Sequence, residues 1–166
     1  DYFYEIADLG QSSFWKQVQE YSEKLLDVRH EENLPEDPEL YLAHGRACLD
    51  IARAGGTTNR QELLDQAVAD FQKYTELRPG DEKGYLYLAE SAIVQGMIEV
   101  SRGNLQARDT ATTQAAEYLQ QGVENTDDKA TAWAHQLDFT LRTLSDPNQI
   151  EPILSLIHIS EPTRLR

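Results

Sequence analysis

The sequence predicts an all-α protein, with helix following helix across short turns. Two positive signals carry that expectation. Apolar residues recur at spacings of three and four, and cap or proline signals precede the periodic stretches while glycines follow them. The third observation is negative: no alternating apolar–polar run of strand type competes with the helical pattern.

In the first element, Phe14, Val18, Tyr21, Leu25 and Val28 are spaced as one buried helical face, with Ser12 or Ser13 available as its cap. Asp37-Pro38 places a cap before a proline at the first helical position and starts a helix over 39–54, which Gly55-Gly56 stops. Asn59 with Glu62 three residues on predicts a capping box for a helix over 60–77. After the Pro79-Gly80 turn, Asp81 caps a helix running to about Arg102, and Gly103 ends it. A polar stretch leads to a helix over 112–123. The turn at 125–128 then precedes a helix from Lys129 to about Leu144. Asp146-Pro147, with Gln149 in the first turn, signals one more helix start.

The 166 residues hold 29 Asp and Glu against 15 Lys and Arg, a net charge of −14. That length supports one core without staples, and the mean hydropathy of −0.60 fits a well-solvated surface. Contacts to a nucleic-acid backbone need Lys and Arg, so nucleic acid is not an expected partner. The single cysteine, Cys48, excludes a disulfide framework and a CxxC metal site. No run of about 18 apolar residues is present, so no membrane span is expected.

An internal repeat emerges from three aromatic residues that open helices. Pro35 lies six residues before Tyr41, Pro79 six before Tyr85, and Asp127 six before Trp133. The segment Ala67-x3-Phe71, Pro79, Tyr85-x2-Leu88-Ala89-x2-Ala92 resembles the tetratricopeptide repeat, whose helices carry W-x2-L-G-x2-Y, then A-x3-F, then P. Tyr41 and Gly45 match a first copy, with His44 and Cys48 as departures; Ala115, Leu119, Asp127 and Trp133 match more loosely. The aromatic intervals of 44 and 48 residues exceed the usual period of about 34. The excess falls within each repeat: Gly45 to Ala67 spans 22 residues and Ala89 to Ala115 spans 26, against about 12 in the family. The resemblance implies a solenoid of about three antiparallel helix hairpins with lengthened repeats, truncated at its ends. A non-repeating helical bundle is the alternative.

The same resemblance implies a concave groove lined by the first helix of each repeat. Carried over position by position, it consists of Leu42, Arg46 and Leu49, then Leu86, Glu90 and Ile93, then Ala134, Asp138 and Leu141. This is an apolar stripe with one charge per repeat, suited to an amphipathic or basic protein segment. The lysine–asparagine clamp that some family members use on a terminal carboxylate is missing. The expected function is a non-enzymatic interaction scaffold. Two other readings remain open. One is a regulatory or assembly segment of a larger enzyme (a kinase, a protease or a secretion component) with its catalytic domain elsewhere. The other is an envelope-associated lipoprotein scaffold.

No catalytic residue, metal site or cofactor is expected, because no HExxH, GxSxG, Walker loop, GxGxxG or calcium-loop pattern occurs. His44 and Cys48 stand four apart on one helix, a spacing that also suits a metal pair or thiolate–histidine dyad, yet both fall on packing positions of the repeat. His30 at a helix end is explained by the macrodipole, and His135 lacks a carboxylate at metal-site spacing upstream. The aromatics Tyr2, Phe3, Tyr4, Phe14 and Trp15 are expected to pack under the following helix, with a partner-binding patch as the alternative. Charge is also distributed by turn. Turns between repeats carry Glu31, Glu32, Glu36, Asp37, Asp81, Glu82, Glu124, Asp127 and Asp128, whereas loops within repeats carry Arg53, Arg60, Arg102 and Arg108. That predicts either one acidic and one mildly basic edge, or plain helix capping.

The ends of the chain carry their own expectations. A start at Asp1 without Met suggests a fragment or a processed product. Residues 154–164, L-S-L-I-H-I-S-E-P-T-R, match the in-frame translation of a transposase adapter used in preparing DNA sequencing libraries. The expected division is therefore a repeat domain over 1–153, incomplete at both ends, and an adapter-derived tail over 154–166, which sets His158 aside as a ligand or base.

Overall fold

The computed structural model describes residues 11–143, excluding the side chains of residues 11, 12 and 140–143. The described residues form six helices: α1 (Gln11–Glu31), α2 (Pro38–Ala54), α3 (Arg60–Leu77), α4 (Glu82–Ser101), α5 (Ala107–Asn125) and α6 (Lys129–Thr143). They contain no strand, and no helix among them is long and apolar enough to cross a membrane.

Local chemistry sets the boundaries. The Asp37 carboxylate accepts from the Glu39 amide at 3.1 Å, with Pro38 at the first helical position. Asp81 does the same for the Lys83 amide at 3.0 Å, and Asp128 for Thr131 at 3.1 Å. Each cap satisfies an amide that the helix start leaves without an intrahelical partner. At the other ends, Gly55 and Gly103 adopt φ of 73° and 95°, where a side chain would be strained.

Three expected details differ. Neither Ser12 nor Ser13 caps α1, which already includes both and Gln11 before them. The Asn59 capping box does not form: the Asn59 amide oxygen accepts the Thr57 hydroxyl instead and makes no cap hydrogen bond. Helix α5 starts at Ala107, five residues before the expected Thr112. Thr112 and Thr113 lie inside it and turn their hydroxyls back onto the carbonyls of Arg108 and Asp109. The helix start expected at Asp146-Pro147 and the tail over 154–166 lie outside the described residues.

Successive helices run antiparallel. Near the α2–α3 turn Arg60 donates to the Ala52 carbonyl at 2.5 Å, while towards the far ends His44 meets Asp70. In α4 and α5, Gly96 lies against Ala111 at one end and Gly122 against Tyr85 at the other. Each helix touches its neighbours in sequence. Beyond those contacts, α2 touches α4 and α4 touches α6, with no matching α3–α5 contact among the described residues.

One core joins α1 to α4 through Trp15, Leu49, Leu64, Phe71 and Val94; a second joins α4 to α6 through Ala89, Ala115, Leu119 and Phe139. Tyr118 packs on both. Phe71 is fully buried and stacks on Tyr87 with ring centroids 5.1 Å apart. Burying a ring of that size stabilises the fold by roughly 2–3 kcal/mol. Gly45 is required beside it, because an added Cβ would lie 2.8 Å from the Phe71 ring.

The apolar face expected of the first helix is only half buried. Phe14 and Val18 pack on the core, but Tyr21, Leu25 and Val28 are 67%, 51% and 45% exposed. Trp15 and Ser22 are buried in their place. The reason is that α1 contacts α2 alone, so a single strip of its surface is covered. Ser22 tolerates burial because its hydroxyl donates to the Val18 carbonyl at 2.6 Å.

Candidate functional site

The contacts among α2, α4 and α6 decide what the predicted groove residues can do. Leu49 is 1% exposed within the first core, and Leu42 packs against that core from a half-buried position. Leu86 and Ile93 pack against the second core. Leu49 is therefore spent on helix–helix packing and is corrected as an accessible groove residue, whereas Leu42, Leu86 and Ile93 are half-buried and keep part of their surface accessible. Ala134 and Asp138 are exposed on α6, and the side chain of Leu141 lies outside the described residues.

Charge remains on that surface. Arg46 stands 5.3 Å from the Trp15 ring centroid and 5.8 Å from that of Tyr87, spanning α1 and α4 across the face of α2. Its Nε is 4.0 Å from Asp50, and Asp50 is 3.3 Å from Arg53. Arg53 in turn reaches Glu90 of α4 at 2.5 Å. Burial raises the Asp50 carboxyl above its ordinary range, against the pull of Arg53 and Arg46. The result is a line of alternating charges, Arg46–Asp50–Arg53–Glu90, running from α2 onto α4. Of these four, the sequence pattern singled out Arg46 and Glu90 as groove residues and missed Asp50; Arg53 entered it only as an edge charge.

The His44–Cys48 pair has a structural setting. His44 Nδ1 lies 2.6 Å from Asp70 Oδ2, and Nε2 lies 3.7 Å from the Cys48 sulfur. Cys48 also contacts the Gln66 amide oxygen at 3.8 Å. Burial disfavours the charged imidazole, but the hydrogen bonds to Asp70 and Cys48 outweigh it and hold His44 up at about 10. A doubly donating imidazolium thus bridges α2 and α3, with Cys48 wholly enclosed. No group of three His, Cys, Asp or Glu able to hold a metal occurs among the described residues. His135 meets Glu82 at 3.1 Å, a pairing 53 residues apart, and His30 is exposed in the last turn of α1.

Several acids of the predicted acidic edge have specific local work. Asp37, Asp81 and Asp128 cap helices, and Asp81 also accepts the Tyr74 hydroxyl at 2.6 Å. Glu36 pairs with Lys73 at 3.0 Å, and that contact lowers its pKa. Capping and local pairing therefore account for much of the cluster. Comparisons with protein-family models, with curated proteins and with solved structures find no match to this chain.

Proposed function

We propose that this chain is a non-enzymatic interaction module, a tetratricopeptide-like array that binds a protein or peptide segment along the face shared by α2, α4 and α6. On this reading α2–α3 and α4–α5 are two hairpins. Helix α1 is the second helix of the hairpin before them, and α6 the first helix of the one after. The observation that carries it is the asymmetric stacking: α2, α4 and α6 touch in a row, whereas α3 and α5 do not. That asymmetry curves an array towards one side and leaves an extended face for a ligand.

The chemistry of the face favours a partner bearing charge, basic or amphipathic, over a purely apolar one. Arg46, Asp50, Arg53 and Glu90 offer alternating charge, and Asp138 extends the acidic character onto α6. Such contacts set orientation and discrimination more than raw affinity.

Selection of binding sequences from a displayed random-peptide library tests this. Enriched peptides should be basic or amphipathic and should lose at least about tenfold in affinity for a Glu90→Lys plus Asp138→Lys chain. Unchanged far-UV circular dichroism of that variant guards against unfolding. Failure to enrich any sequence, or equal binding to both chains, overturns the assignment.

A further inference from the structure

We draw no further inference here: the strongest candidate, the half-exposed apolar groove along α1 lined by Phe14, Val18, Tyr21 and Leu25, carries none, because nothing in the structure shows what covers it.

Discussion

His44 illustrates how one side chain can link two helices and make their stability depend on pH. Its folded-state pKa of about 10 stands above the ordinary 6.5, so the folded chain holds the proton more tightly. The stabilisation is therefore complete below pH 6.5 and is lost as pH rises through about 10. Melting temperature should fall across that window, and His44→Leu combined with Asp70→Leu should remove most of the slope. A double variant with the wild-type slope would refute the assignment. Asp70→Ala alone should cost about 1–3 kcal/mol, because it removes the acceptor of His44, which is 7% exposed and then gives up its proton rather than stay charged. Chemical denaturation reads that difference, and a loss under about 1 kcal/mol would show that the pair carries little. The helical neighbours His44 and Cys48 were legible in the sequence as packing positions. Asp70 was not, because it lies 26 residues away and no helical periodicity reports a contact across helices. Leu49 escaped for a related reason. Periodicity separates apolar from polar positions, but it does not say that neighbouring helices cover Leu49 within the first core.

Helix boundaries were legible wherever a side chain caps its own backbone, since that chemistry is local. Asp37, Asp81 and Asp128 therefore mark starts correctly, whereas α5, whose cap Gln106 makes no side-chain bond, starts five residues before the expected Thr112. Closeness between helices is a property of pairs of elements and escaped the sequence pattern. Gly96 of α4 shows it: an added Cβ would stand 2.5 Å from the Ala111 Cβ of α5 and 3.3 Å from the Ala107 carbonyl. Alanine in mid-helix normally gains up to about 1 kcal/mol over glycine. Here overpacking should cost about 1–3 kcal/mol and win, so Gly96→Ala should lower the denaturation midpoint. Adding Ala111→Gly moves the methyl to the other side of the contact and should recover part of the loss. If Gly96→Ala is stabilising, or Ala111→Gly only worsens it, the helices do not approach as closely as this geometry requires.

At the scale of the whole molecule, two cores lie in series rather than around one centre, and stability should vary along the chain. The first core draws on four helices and encloses Leu49, Leu64 and Phe71 almost completely. The second draws on α4, α5 and α6, and α6 touches α5 and α4 far less extensively than those two touch each other. Where each unit contacts only its neighbours, the free energy of local opening follows the local interfaces. Amide exchange should therefore be slowest in α2, α3 and α4 and fastest in α6. Phe139 makes this testable, because among the described residues it is the one α6 side chain in the second core cluster and is 6% exposed. Phe139→Ala removes about 3 kcal/mol of packing. In a chain of nearest-neighbour units that loss stays near α6, so α6 amides should lose protection while those of α2 and α3 keep theirs. In a single cooperative core the same substitution would lower protection equally in all six helices. Residue-resolved hydrogen exchange distinguishes the two, and a uniform loss would argue against a repeat array for this chain.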